Sequence, residues 1–209
     1  MDLIVTACRV LANPMRLQLL RVIYTRPGLA VRELAAEIAA PPAATSQQLK
    51  RLCNFHFIEA VPSGRQVFYR PAGSGTTANQ FLRDLHALVS AVMSAKEPNR
   101  TPHEVCDSAD ASWDAVQAAL MKLFTTYTHL RRLLLLRQLA VGKGDTAVAL
   151  AERIGMSPDA AYRHLDKLRR RGVVVCSGQP PERWQVATHR GQSCRQKLLA
   201  LVLRAMRPS

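Results

Sequence analysis

The sequence predicts a mainly α-helical protein with small β-hairpins, arranged as two similar domains in tandem. Three observations support this fold class. Leucines and other apolar residues recur at helical spacing in both halves of the 209-residue chain. Each half also contains two short strand-like runs separated by a polar turn. Finally, sliding the chain on itself by 116 positions, without a gap, superposes matching residues over a long stretch.

The internal repeat can be followed residue by residue. The matching pairs include Arg16 with Arg132, Leu17 with Leu133, Leu20 with Leu136, Gly28 with Gly144, Pro42 with Pro158, Leu49 with Leu165 and Leu52 with Leu168. We therefore predict a duplicated domain: residues 1–97 form the first copy and residues 112–209 the second. Residues 98–111 hold two prolines and several acidic residues, which is typical of a linker.

Each copy has the same predicted elements. A leucine-rich helix (14–24 or 129–140) ends at a glycine-bearing turn, and a short second helix follows, RELAAEIA or VALAERIG. A third helix (42–54 or 158–171) begins at a proline, which is favoured at the first helical position. The runs FIEAV and VFYRP, or VVVCS and WQVAT, then predict a hairpin. Three helices followed by a hairpin are the pattern of a winged helix-turn-helix, whose third helix enters the DNA major groove.

The third helix of each copy has one apolar face and one polar face. Residues Thr45, Leu49 and Leu52, and in the second copy Ala161, Leu165 and Leu168, share the face predicted to lie in the core. The opposite face and the wing tips carry the predicted DNA contacts, which are Ala43, Ser46, Gln47, Lys50, Arg51, Asn54, Arg65, Asp159, Tyr162, Arg163, Lys167, Arg170 and Arg183. Gln47 suits bidentate reading of adenine and Arg163 of guanine, whereas Arg65 and Arg183 suit phosphate or minor-groove contact. Asp166 would face DNA unless it pairs with Arg163 or Arg170.

The motifs LANPMRLQLLRVI, RELAAEIA, TSQQLKRL and GRQVFYRP resemble the arsenic-repressor (ArsR) family of winged-helix regulators over about residues 3–95. The second copy is less similar to that family and resembles winged-helix regulators in general. The resemblance implies a helix before and after each domain, through which two subunits pack; the candidates are residues 3–11, 80–95, 113–124 and 193–206. It also implies metal sites, but Ala30, Val31 and Arg32 replace one set of cysteines and only Asp84 and His86 of the second set are present. We therefore expect no metal or other cofactor.

Charge and the remaining residue patterns narrow the function. A net charge of +14 predicts a polyanionic partner, and residues 115–209 hold seventeen Lys and Arg against five Asp and Glu. We expect a cytoplasmic protein without membrane contact, because no signal peptide or apolar run of about 20 residues is evident. The five cysteines lack CxxC spacing, which argues against zinc knuckles and a disulfide framework. We expect no enzyme activity, since no phosphate loop or catalytic cluster is recognisable.

The predicted function is sequence-specific binding of double-stranded DNA by a transcriptional regulator. One alternative is a plasmid-type replication initiator, since some of these also fuse two winged helices. Another is a subunit of a chromosome-organising complex that uses its winged helices to bind protein. The chain could act as a pseudo-dimer within one polypeptide or as a homodimer through the leucine-rich faces of residues 80–95 and 193–206.

Overall fold

The computed structural model describes residues 1–73, 75, 77–95, 112–142, 144–188 and 193–207. Within these residues the protein is mainly helical, with two small antiparallel sheets, as the sequence predicts. The predicted linker, residues 98–111, lies outside the described residues, so the domain boundary there stays a prediction.

The first half begins with a helix, continues with the predicted three helices and hairpin, and closes with another helix. In chain order its elements are α1 (Asp2–Leu11), α2 (Pro14–Thr25), β1 (Leu29–Ala30), α3 (Val31–Glu37), α4 (Pro42–Asn54), β2 (Ile58–Ser63), β3 (Gln66–Pro71) and α5 (Gln80–Met93). The start of α2 is fixed by Asn13, whose side chain accepts from the Arg16 N–H at 3.0 Å. The sheet has the order β1-β3-β2, so β3 lies in the centre.

The second half repeats this order. Its elements are α6 (Trp113–Thr126), α7 (Leu130–Val141), α8 (Ala147–Ile154), α9 (Pro158–Arg170), β4 (Val174–Ser177), β5 (Arg183–Val186) and α10 (Cys194–Ala205). A single antiparallel bridge between Asp145 and Trp184 takes the place of β1. Ile58 pairs with Pro71 in the first hairpin, and Val174 pairs with Val186 in the second. The segment between these two paired residues is therefore one residue shorter in the second hairpin than in the first.

Several element boundaries differ from the sequence prediction by one or two residues, among them the end of α9. The third helix of the second copy ends at Arg170 rather than Arg171, which is its C-cap. Gly172 follows with a φ of +67°, a conformation that glycine adopts without strain. The strand predicted as VVVCS begins at Val174, after this turn, and the strand predicted as WQVAT spans Arg183–Val186 and so begins one residue earlier than predicted.

The flanking helices join the two halves of the chain. α1 packs against α6, and α5 packs against α10, so each flanking helix meets its own counterpart in the repeat. Polar contacts lie along the same junction: the Arg9 Nε–H donates to the Thr128 carbonyl at 3.1 Å, and Arg21 lies over the Trp113 ring at 5.0 Å from its centre. Arg204 bridges to Asp84 at 2.5 Å between α10 and α5. Contact between like elements is the pattern that a two-fold symmetric dimer makes between subunits.

The buried side chains form one continuous apolar cluster that includes residues of both halves. Leu20, Leu49 and Leu85 belong to it from the first half, as do Leu136 and Leu198 from the second, and all five are fully buried. The two sets of elements therefore share a core. Among the described helices, none is long and apolar enough by itself to cross a membrane; Asp2–Leu11 and Pro14–Thr25 would reach that length and composition only as a pair bent by 75°.

Candidate nucleic-acid interface

The candidate interface is built on α4 and α9, the third helices of the two copies. In α4, Thr45, Leu49 and Leu52 are buried, and in α9 the same is true of Ala161, Leu165 and Leu168, which confirms the predicted core faces. Ser157 caps α9 by accepting from the Ala160 N–H at 3.3 Å, and Pro158 takes the first helical position. Gly155, with a φ of +65°, ends α8 in the left-handed region and so turns the chain toward α9.

The predicted DNA contacts are exposed on these helices and on the first wing. The exposed residues are Ala43, Ser46, Gln47, Lys50, Arg51 and Asn54 on α4, Arg65 on the first hairpin, and Asp159, Tyr162, Arg163, Lys167 and Arg170 on α9. The two exposed faces differ strongly in chemistry. The face of α4 is polar with two cations, whereas that of α9 carries arginine and lysine beside Asp159.

Asp166 does not lie on the outward face, which corrects its predicted position. Its side chain is 20% exposed, and its two oxygens bind Arg169 Nη2 at 2.8 Å and Arg170 Nε at 2.7 Å. The hydrogen bond from Arg169 holds the pKa of the Asp166 carboxyl below its usual range. Of the two partners predicted for Asp166, the structure shows Arg170, and Arg169 replaces Arg163. Arg163 thus keeps an exposed position without this carboxylate.

The two wings present arginine differently. Gly64, with a φ of +59°, forms the two-residue turn between Ser63 and Gln66, and this places Arg65 at the tip. Arg183 is exposed, but its Nη2–H donates to the Gly144 carbonyl at 2.9 Å. It therefore braces the loop between α7 and α8, and its contact with DNA stays a prediction.

Tyr162 connects α9 to its wing; α4 and α9 are the two candidate recognition helices, the reading helices of the chain. Its ring packs edge-on against Trp184, with centroids 5.7 Å apart and an angle of 89° between planes. Such aromatic pairs stabilise by about 0.5–1.5 kcal/mol beyond the area they bury. Because Tyr162 is still half exposed and Trp184 is buried, the contact joins α9 to its wing and leaves part of the tyrosine open to solvent.

A buried arginine lies beneath each reading helix. The Arg16 guanidinium donates to the carbonyls of Val10 and Arg9 and to Gln48 on α4. Its repeat counterpart, Arg132, is 5% exposed and donates through Nη2 to the Thr128 hydroxyl at 3.3 Å. Its Nε and Nη1 atoms have no partner. Burial lowers the pKa of both guanidinium groups.

The residues that resemble half of a family metal site have other contacts here. Asp84 binds Arg204, and His86 is buried with its Nε2 at 3.0 Å from the Tyr24 hydroxyl. Tyr24 also donates to the Phe57 carbonyl at 3.1 Å, and burial lowers the pKa of His86. In the described part of the chain no cluster of three or more His, Cys, Asp or Glu side chains could hold a metal ion.

Sequence reasoning missed His129 and His164, whose rings lie with centroids 4.6 Å apart and planes at 46°. His129 precedes α7, and His164 is half buried on α9. The signal was present in the repeat, because the ungapped superposition places His129 on Asn13 and His164 on Gln48. A change of two polar residues to two histidines beneath one reading helix was the available clue.

Comparison with known proteins identifies similarity in the second half of the chain. Residues 127–176 match the family described as a helix-turn-helix domain. This segment runs from the end of α6 through α9 into β4, and so contains the second candidate reading helix. The match is to the copy that resembles the ArsR family less in sequence. No curated protein and no solved structure showed significant similarity to the chain. At this coarse level, the segment is similar to a DNA-binding regulator.

Proposed function

We propose that this protein is a sequence-specific regulator of transcription that binds double-stranded DNA through two winged helix-turn-helix domains, and that it is not an enzyme. The observation that carries the proposal is the exposed polar face of α9 inside the segment that matches the helix-turn-helix family. Arg163, Lys167 and Arg170 lie on that face, and the whole chain carries a net charge of +14. Cations along a helix with a buried opposite face suit phosphate contact and base reading in a major groove.

The first copy contributes a second reading element. α4 occupies the same place in its set of elements as α9 does in the second, and its exposed face offers Gln47, Lys50 and Arg51. The first wing adds Arg65 at an open tip, whereas the arginine of the second wing is held by Gly144. We infer a division of contacts, in which the first copy uses helix and wing and the second relies on its more basic helix.

The chain supplies within one polypeptide the contacts that two subunits would supply in a dimer. The apolar faces of α5 and α10, which the sequence offered for homodimer formation, pack against each other inside the chain, as α1 does against α6. A pseudo-dimer with different reading faces should prefer two dissimilar half-sites. The paired positions differ in chemistry: Ala43 and Asp159, and Gln47 and Arg163.

Fluorescence anisotropy with a labelled random-sequence duplex tests the proposal. At low salt we expect binding, with log affinity falling against log salt by about 0.9 for each phosphate contact. A combined Arg163→Ala and Lys167→Ala variant should reduce this slope, whereas Arg153→Ala, which removes one cation on α8 that is paired with Asp145, serves as the control. Absence of duplex binding at low salt would contradict the proposal and would favour the chromosome-organising alternative. Preference for repeated origin sites over single sites would favour the replication initiator.

A further inference from the structure

Two histidine rings, those of His129 and His164, meet between α7 and α9. His129 is the N-cap of α7, a helix of 12 residues, and its side chain makes no capping hydrogen bond. The first N–H groups of a helix have no acceptor within the helix, and together with the helix dipole they favour an anion at that end. His164 brings a second ring to the same place from the reading helix.

The charged groups that act on these rings are all cationic in the part of the chain that the structure describes. His129 is influenced by Arg132, Arg131, Arg9 and Lys167, and His164 by Arg132, Arg131 and Arg163. These residues come from α1, the start of α7 and the exposed side of α9. Burial and these cations lower the pKa of both histidines. Both rings therefore favour the neutral form more than a solvated imidazole does.

The buried Arg132 is a second, independent indication of a ligand. Its Nη2 atom binds the Thr128 hydroxyl, so its guanidinium lies beside the residues that lead into α7. Nε and Nη1 are buried without a partner, and an unpaired buried donor destabilises the fold, more so when it is charged. In the first copy, the corresponding guanidinium of Arg16 donates hydrogen bonds to two backbone carbonyls and to Gln48. The second copy has His164 where the first has Gln48, so Arg132 Nη1 lacks the side-chain acceptor that Arg16 Nη1 has.

We propose that the start of α7, with His129, His164 and Arg132, binds a phosphate of the DNA backbone and takes up a proton from solvent as it does so. The inference rests on the proposed DNA-binding function, because the cluster continues onto α9 through Lys167 and Arg163. A phosphate diester carries one negative charge and accepts several hydrogen bonds, which matches two imidazolium N–H groups, the guanidinium and the helix N-terminus. The second copy would thus hold DNA more tightly as the pH falls.

The sign of the effect follows from linkage. Both histidines have pKa values below 6.5 in the free protein, and a bound phosphate raises these values by favouring the charged rings. At a pH between the histidine pKa values of the free protein and those of the DNA-bound protein, the bound protein therefore carries more protons than the free protein. Affinity rises as pH falls through this window, by up to about tenfold per pH unit for each linked proton.

The first copy supplies the matched variant. Replacing His129→Asn and His164→Gln installs the residues found at Asn13 and Gln48, so the new side chains are ones that this fold already accommodates. The dissociation constant for one duplex is measured from pH 8.0 to pH 6.0 at constant ionic strength. We expect wild-type affinity to rise by about fivefold or more, and that of the double variant by less than about twofold. His56→Asn, which changes an exposed histidine at the end of α4, should retain the wild-type dependence.

NMR titration of the histidine ring protons identifies the source of the anion. We expect the duplex to raise the pKa of His129 and His164; inorganic phosphate at matched ionic strength can also raise them, and both results support the proposal. A rise with inorganic phosphate alone would overturn the DNA contact, as would no rise with either. The proposal would also be overturned if duplex affinity depended equally on pH in the wild type and the double variant while both showed the cooperative thermal unfolding of folded proteins. Failure to bind duplex at any pH would instead contradict the proposed function itself.

Discussion

Truncation of Leu198 tests whether the two halves share one core. Leu198 lies fully buried on α10, the helix that packs on α5. Replacing a fully buried leucine with alanine costs about 2–5 kcal/mol, so we expect Leu198→Ala to lower the free energy of unfolding by about 3 kcal/mol. For a protein of this size each kcal/mol corresponds to about 2–4 °C, so the melting temperature should fall by about 6–12 °C.

Differential scanning calorimetry measures this change directly. Because the apolar cluster is continuous between the halves, we expect one transition in the wild type and one lower transition in the variant. Arg204→Ala is the control on the same helix: the arginine side chain is 60% exposed, and such a pair is worth less than about 1 kcal/mol. Two transitions, with only one shifted by Leu198→Ala, would refute the shared core.

Three further outcomes concern acid stability, an ion pair and base specificity. Burial lowers the pKa of His86 from 6.5, so as the pH falls this histidine is protonated in the unfolded chain at a higher pH than in the folded protein. The melting temperature should therefore fall as the pH drops below about 6.5, and it should fall less in His86→Phe. Thermal scans at several pH values measure this difference. Asp166→Asn releases Arg169 and Arg170, so duplex affinity should rise and the salt slope should steepen by about 1; an unchanged slope in anisotropy titrations would contradict this. Gln47→Ala or Arg163→Ala should remove about 1–3 kcal/mol of discrimination at one or two base pairs. Arg65→Ala should weaken binding to all sequences equally, and Arg183→Ala should have a smaller effect than Arg65→Ala. Binding to a panel of duplexes with single-base changes measures these effects.

Local structure was predictable because its determinants lie within a few residues of one another. The spacing of Leu49 and Leu52 fixed the buried face of α4, and Pro42 and Pro158 marked where the reading helices begin. The repeat then predicted the same elements in the second half without separate evidence. The exposed positions of Gln47 and Arg163 follow from the same periodicity.

Features that depend on distant parts of the chain were not predictable in this way. Arg183 donates to Gly144, which lies 39 positions earlier, and only the folded loop brings the two together. The resemblance offered the flanking helices as a means of pairing subunits, whereas packing pairs them within the chain. Helical spacing placed Arg163 and Arg170 within reach of Asp166, whereas the folded side chains pair it with Arg169 and Arg170. The contact between His129 and His164 likewise depends on the packing of α9 against α7.

Selection of bound duplexes from a random-sequence library, with the mass of the complex determined by light scattering, tests the central claim most directly. We expect one chain bound to an asymmetric site whose two halves differ, because the exposed faces of α4 and α9 differ and the flanking helices pair within the chain. Two chains on a palindromic site, or no enriched sequence at all, would contradict it.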